Sequence, residues 1–336
     1  MKRIDFEHHY YAQPTIDVFM ARTEPPCMDR KTLLLSCTKR SKSPTAVVYD
    51  KLLDLTEARA AEMTKHGVDM AVLSCSFGPE QVSLQEGLDI TRKSNDAVAD
   101  AINRTPGRYL GSAILPVQDP AAACNELERC VKEYGFVSWH THSNYGESYA
   151  DQDAYRPIFE KAADLGVYIY LHPATSTLER VDDLGFAFSG ATLGFTLDTM
   201  ITACRLIFLG VLDELPNLKV VLGHLGEALP FLLERMDNRF ELLKSSRTSS
   251  LKNKYNPSHY FKNGQIKVTT SGNASRAAFL CTKEVLGIES ILFGSDYPYE
   301  PFHDSLSFLD SVPLTVEERE KLFFRNAESL LGRSLD

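Results

Sequence analysis

The chain lacks the long apolar runs, the excess of positive charge and the paired cysteines that mark several large classes of protein. Its longest apolar stretches, such as 201–211, are interrupted by a charge, here Arg205, whereas a membrane span needs about 20 apolar residues. Lys and Arg number 36 against 45 Asp and Glu, for a formal net charge of −9. Nucleic-acid binding depends on basic side chains that displace counterions, so that class is excluded. No glycine-rich loop runs into Lys-Ser or Lys-Thr, which removes the phosphate-cradling motif. The seven cysteines (Cys27, Cys37, Cys75, Cys124, Cys130, Cys204 and Cys281) are odd in number, scattered, and include no C-x-x-C pair. Neither a disulfide framework nor a thiolate zinc site is expected, and a cytoplasmic location fits best. Met1 to Asp5 reach charged groups before any apolar run, unlike a signal peptide.

What the chain does have is a regular alternation. Of its 336 residues 43% are apolar and 24% charged, enough to fill a large core. Short apolar runs at 2–7, 69–74, 109–115, 136–140, 167–171, 219–223, 265–270 and 290–294 read as strands. Amphipathic stretches at 51–65, 87–103, 121–134, 155–165, 196–209, 228–243, 276–286 and 315–331 read as helices. Asp119-Pro120 has the chemistry of an N-cap and first turn, and Gly67, Gly135, Gly166 and Gly287 stand where helices should stop. Eight βα units in a chain of this length predict an α/β fold, a (β/α)8 TIM barrel forming one domain over 1–336 and ending in a C-terminal helix. A dinucleotide-binding fold is disfavoured, because no glycine fingerprint follows the first strand. Two connections, 10–49 after strand one and 173–191 after strand five, are longer than a βα loop requires. They would rise on the face where barrel enzymes keep their active sites, as lids or substrate walls.

The acidic residues and histidines fall at strand ends. Glu7 and His9 close strand one, His172 strand five, His224 strand six and Asp296 strand eight. Strand C-termini share one face of a barrel, so these distant positions converge. Glu7 and His9 are two apart and project together, while His8 between them points away. Glu7, His9, His172 and Asp296 thus form a candidate site for one divalent ion, with mixed nitrogen and oxygen ligands suited to Zn2+ or Mn2+, and Fe2+ or Co2+ as alternatives.

Glu7-x-His9, Tyr170-Leu171-His172-Pro173, Gly223-His224-Leu225-Gly226-Glu227 and 292–298 (Leu-Phe-Gly-Ser-Asp-Tyr-Pro) resemble the signature of the amidohydrolase superfamily. With Leu115-Pro116-x-Gln118-Asp119-Pro120, Tyr155-Arg156-Pro157 and Thr270-Ser271-Gly272-Asn273, they look most like its nonoxidative decarboxylase branch, that of the γ-resorcylate and aminocarboxymuconate semialdehyde decarboxylases. Hydrolytic members usually begin with His-x-His and carry a lysine at the end of strand four. This chain has Glu-x-His and no lysine in 136–142, which favours a single metal ion. The resemblance implies a carboxy-lyase acting on an aromatic acid with an ortho-hydroxyl. Asp296 would protonate the ring carbon, His224 would hold Asp296 or a substrate oxygen, and Glu227 would orient His224. It implies substrate contacts from Phe195, Tyr299 and Arg235, the last reaching into a neighbouring subunit of a homodimer or homotetramer. His142 is a further candidate for the pocket lining, and His140 is open between lining and structure. The alternative activity is a hydrolase that attacks a lactone or amide with a metal-activated water.

Overall fold

Eight parallel strands line up in chain order in the computed structural model, which describes residues 1–245 and 250–335. They are β1 (Ile4–Tyr10), β2 (Met70–Cys75), β3 (Tyr109–Ala113), β4 (Ser138–His142), β5 (Tyr168–His172), β6 (Val220–Leu222), β7 (Ile266–Thr269) and β8 (Ile291–Leu292). The principal helices between them are α1 (Glu57–Lys65), α2 (Leu84–Arg104), α3 (Pro120–Tyr134), α4 (Arg156–Leu165), α5 (Gly194–Phe208), α6 (Leu229–Ser245), α7 (Arg276–Leu286) and α8 (Asn326–Leu331). Helices cover one side of the strands and the barrel core fills the other, so every residue of β1, β2, β4 and β5 is buried, polar ones included. The gap between β8 and β1 is closed by backbone bonds from Phe6 N to Phe293 O (2.9 Å), Asp296 N to Glu7 O (3.0 Å) and His9 N to Tyr297 O (2.6 Å). This is the expected (β/α)8 barrel.

Local chemistry sets the helix ends. Asp119 accepts from the Ala121 and Ala122 N–H groups to open α3, and Ser83 with Glu86 forms a reciprocal capping box on α2. Gly135 and Gly166 end α3 and α4 in left-handed conformation, as their positions in the sequence predict. The expected helix at 51–65 is instead two, Tyr49–Leu53 and α1. Arg59 explains the break: its guanidinium reaches the Asp54 carbonyl (2.5 Å) and that of Lys51, capping the first piece while Thr56 caps the second. Helices at Gln13–Ala21 and Phe302–Ser311 have no counterpart in the sequence reading.

The two long connections form the roof of the barrel mouth. The first holds helix Gln13–Ala21 and a three-stranded antiparallel ribbon of Cys27–Met28, Leu35–Ser36 and Lys42–Ser43. Thr38 and Ser41 donate to Asp182 of the second at 2.8 and 2.5 Å, and the Ser41 and Ser189 hydroxyls meet at 2.5 Å. Lys39, Arg40 and Lys42 stay exposed around buried Ser41. Among the described residues no helix is long and apolar enough to cross a membrane.

Candidate active site

Glu7 and His9 leave β1 on the inner side, fully buried, while His8 turns outward to Asp5 (3.0 Å) and stacks on Tyr297. One Glu7 oxygen, Oε2, is held by the Tyr170 hydroxyl. The other, Oε1, lies 3.2 Å from His172 Nε2 and 3.4 Å from His9 Nε2. His9 Nε2 is also 3.0 Å from Asp296 Oδ1. These groups converge without satisfying one another: Glu7 Oε1 and both His9 nitrogens are buried with no aligned hydrogen-bond partner. An unmet buried polar atom costs about 1–3 kcal/mol. A cation held among two imidazole nitrogens and two carboxylates removes that penalty for Glu7 Oε1 and His9 Nε2, and the mixed donor set fits one divalent ion.

The charges around this point are strongly displaced. Burial pushes the Glu7 carboxyl up, but His172 and His9 outweigh it and hold it well below the usual range. Burial depresses His9, yet Asp296 and Glu7 carry it up to about 9. His172 is pushed down to about 4, chiefly by burial, which leaves its ring neutral with a lone pair to offer.

Asp296 does not end a strand in the narrow sense. It sits four residues beyond β8 in a left-handed conformation (φ 64°), which turns its carboxylate over the mouth. Opposite it, the chain leaving β6 makes a left-handed turn through His224, Leu225, Gly226, Glu227 and Ala228. Within that turn His224 Nδ1 meets Glu227 Oε1 at 2.5 Å, and His224 Nε2 faces Asp296 Oδ2 at 3.7 Å. Burial opposes a charge on His224, but Glu227 and Asp296 prevail and raise its pKa well above the usual value. Asp296 itself is raised by burial and lowered more by His224 and His9. Gly272 packs against both: a Cβ there would lie 2.5 Å from His224 Cδ2 and 2.6 Å from Asp296 Oδ2.

A cavity of about 270 Å3 opens above these groups, lined by His9, His172, His224 and Asp296 together with residues of both long connections. Phe195 and Tyr299 line it, and the Tyr299 ring meets that of His9 edge-on at 5.3 Å. His142 does not line it. It is 1% exposed and, although it pairs in register with His172 on the neighbouring strand, its Nδ1 is against Glu80 Oε1. His140, one repeat lower, stacks on Tyr170. Arg235 is exposed on the outer side of α6, beside a surface groove formed with Phe208, Met236 and Phe240, and is not part of the cavity. Tyr170, Asp5 and Glu80 were not foreseen as participants. Asp5 binds the Glu7 and Ser295 N–H groups (3.1 and 2.9 Å), tying β1 to the loop that carries Asp296. Tyr170 and Asp5 had a signal in the sequence, each standing two residues before a proposed ligand, His172 and Glu7, the spacing that alternation places on one side of a strand; Glu80 had none.

An amidohydrolase family profile matches residues 4–333. The chain is 32% identical over 290 residues to the γ-resorcylate decarboxylase of a Polaromonas species, covering 83% of this chain and 88% of that one. A crystal structure of dihydroxybenzoic acid decarboxylase from Polaromonas, with bound manganese and the inhibitor 2-nitroresorcinol, superposes with a TM-score of 0.85 at 29% identity, covering 98% of this chain and 97% of the other. A 5-carboxyvanillate decarboxylase from Novosphingobium aromaticivorans, complexed with manganese and 4-hydroxy-3-methoxy-5-nitrobenzoic acid, gives 0.88 at 29% identity, with coverage of 98% and 96%.

Proposed function

Because the chain belongs to the amidohydrolase family and shares the fold of decarboxylating relatives, we propose that it is a metal-dependent nonoxidative decarboxylase of a hydroxylated aromatic acid. The observation that carries this reading is the line Glu227–His224–Asp296 facing a small cavity directly above the Glu7, His9 and His172 cluster. The cavity volume is at the small end of ligand pockets, which suits a single ring.

Glu7, His9 and His172, which cluster within ligand reach, would hold the ion with Asp296, whose Oδ1 is 3.0 Å from His9 Nε2; manganese in the relatives is a better guide to its identity than zinc. When bound, it supplies positive charge that binds and orients the substrate's carboxylate and ortho-oxygen. Asp296 is the proton donor. Glu227 fixes the His224 ring through Nδ1 and leaves Nε2 turned to Asp296, so that the imidazole stores the proton that Asp296 delivers. Protonation of the ring carbon bearing the carboxylate interrupts aromaticity; the carbon–carbon bond then breaks, its electrons return to the ring, and carbon dioxide leaves. Phe195 and Tyr299 serve as the apolar walls that hold the ring, and the roof made by the two long connections excludes water.

The 1–336 chain works as one catalytic domain in this reading, as a homodimer or homotetramer, with Arg235 reaching a neighbouring subunit's cavity from its exposed position on α6. All seven cysteines are free, which supports a cytoplasmic setting. The test is a panel of ortho-hydroxybenzoates, carboxyvanillates and lactones with the manganese-loaded protein in 18O-water. Carbon dioxide released in step with loss of a benzoate, with no 18O in the ring product, is the expected result. Lactone opening with 18O incorporated and no gas would refute it and establish the hydrolase instead.

A further inference from the structure

Beneath the proposed metal ligands lies a second group of buried, unmatched side chains that the decarboxylation scheme does not use. His172 directs Nε2 at Glu7 Oε1, so Nδ1 is its outer nitrogen, and that atom is buried with no partner. His142 is the register partner of His172 on β4, and their ring centroids are 5.2 Å apart. Two imidazoles joined by an N–H···N bond of about 3 Å have centroids roughly 5 Å apart. Neither His142 nitrogen has an aligned partner, yet Nδ1 is in contact with the carboxylate of Glu80, a residue 6% exposed in the short turn Pro79–Gln81 after β2.

The local backbone is built to bring that carboxylate inward. Gln81 anchors the turn to the loop after β4, donating to the Asn144 carbonyl at 2.6 Å and accepting from the Gly146 N–H at 3.0 Å. Glu80 folds back over Gly78, where a Cβ would lie 2.1 Å from Glu80 Oε2. Gly78 thus supplies the room that the carboxylate occupies.

We infer that Glu80 and His142 are positioning residues that orient His172 and raise its strength as a metal ligand. Glu80 accepts from His142 Nδ1–H, His142 Nε2 accepts from His172 Nδ1–H, and His172 Nε2 keeps its lone pair for the ion. Each nitrogen then has one role, and the three buried atoms cease to be orphans. His140 also lies close to His172 (5.2 Å between centroids), but it stacks on Tyr170 rather than meeting a carboxylate. A histidine ligand commonly donates its other nitrogen to a carboxylate or carbonyl, and loss of that partner weakens metal affinity by about 10- to 100-fold.

The inference rests on His172 being a ligand and not on the identity of the substrate, so its test reads metal binding. Metal-free protein is titrated with Mn2+ against a chelating competitor for wild type, Glu80→Gln, Gly78→Ala, His142→Leu and His142→Gln, with melting curves to confirm folding. Glu80→Gln, Gly78→Ala and His142→Leu should bind about 10- to 100-fold more weakly. His142→Gln keeps an acceptor for His172 Nδ1–H and should recover most of the affinity. Unchanged affinity in folded Glu80→Gln overturns the inference even if His142→Leu fails to fold. So does a second tightly held Mn2+ per wild-type chain, which would make His140 and His142 ligands in their own right. If His172→Ala retains full affinity, the ligand assignment beneath both readings fails, which distinguishes the two failures.

Discussion

Substituting Gly272 by alanine perturbs the site where it has least room, and a second glycine separates the two consequences. Gly272 has φ +58°, and its missing Cβ would fall 2.5 Å from His224 Cδ2 and 2.6 Å from Asp296 Oδ2. Gly107 has φ +75° and nothing within 4 Å, and it lies just before β3, at the opposite end of the barrel from the site. At either position alanine takes on a left-handed conformation, at about 1–2 kcal/mol. Roughly 0.5–1 kcal/mol of that is offset because alanine loses less freedom than glycine on folding. A net destabilisation of about 0.5–1 kcal/mol is expected from Gly107→Ala, with full turnover.

Gly272→Ala carries the same backbone strain and a collision besides. To regain ordinary van der Waals separations of about 3.5 Å, the His224 carbon and the Asp296 oxygen must each retreat by roughly 1 Å. Misplacement on that scale costs on the order of 100-fold in rate. The assay is carbon dioxide release at saturating Mn2+ beside a denaturant titration of both variants. If Gly272→Ala turns over as fast as Gly107→Ala, the close packing of Gly272 against the proposed donor and its imidazole has no bearing on catalysis, and the reasoning is wrong.

Asp296→Asn should lower turnover by about 100- to 10,000-fold while the protein still melts cooperatively; near-normal turnover excludes Asp296 as the proton donor. His172→Ala should reduce bound manganese per chain after gel filtration, and unchanged stoichiometry by elemental analysis removes it from the ligand set. The metal-free His9 ring, raised to about 9, is protonated at neutral pH and must lose its proton to bind an ion. Manganese binding should therefore release protons and strengthen as pH rises toward that value. Calorimetry in two buffers of different ionisation heat checks this, and an identical apparent heat in both refutes it. Arg235→Ala should raise KM without loss of metal, and activity should return when it is mixed into oligomers with Asp296→Asn chains, since each lacks only what the other supplies; an unaltered KM argues that Arg235 serves only its own surface.

What could be read from the sequence followed from periodicity. A strand such as β5 is an unbroken apolar run bounded by Gly166 and Pro173, and the two-residue spacing of Glu7 and His9 already places them on one side of β1. What could not be read depends on partners distant in sequence. Nothing in the bare sequence around Glu80 reveals that its carboxylate folds back over Gly78 to meet His142, because that contact exists only once β2 and β4 are two strands apart in a closed sheet. The same holds for His142: alternation puts it on the inner side of β4 and the register sets it level with His172, but the Glu80 carboxylate lies against its ring. The break at Asp54 was equally hidden, since Arg59 competes for carbonyls that a helical pattern assigns to the backbone.

The turn after β6 shows why backbone conformation was the least legible feature and why it matters. His224, Leu225, Glu227 and Ala228 all have positive φ, between 51° and 62°, and only Gly226 among the five is of a type that adopts it freely. At about 1–2 kcal/mol for each non-glycine residue, such a run persists only where its surroundings over-determine it. Here they do. Leu225 and Glu227 are almost fully buried, Gly226 N bonds to Gly223 O at 2.7 Å, and Gly226 lies against Val268 of β7 too closely for a Cβ. Unwinding the turn would expose Leu225 and strand a carboxylate, so the strain is held by burial on the same residues that bear it. The result is an imidazole and a carboxylate three residues apart, locked at 2.5 Å before any substrate arrives. A flexible loop would have to order that pair during each turnover; the barrel, by storing the strain in its folded state, has it ordered in advance.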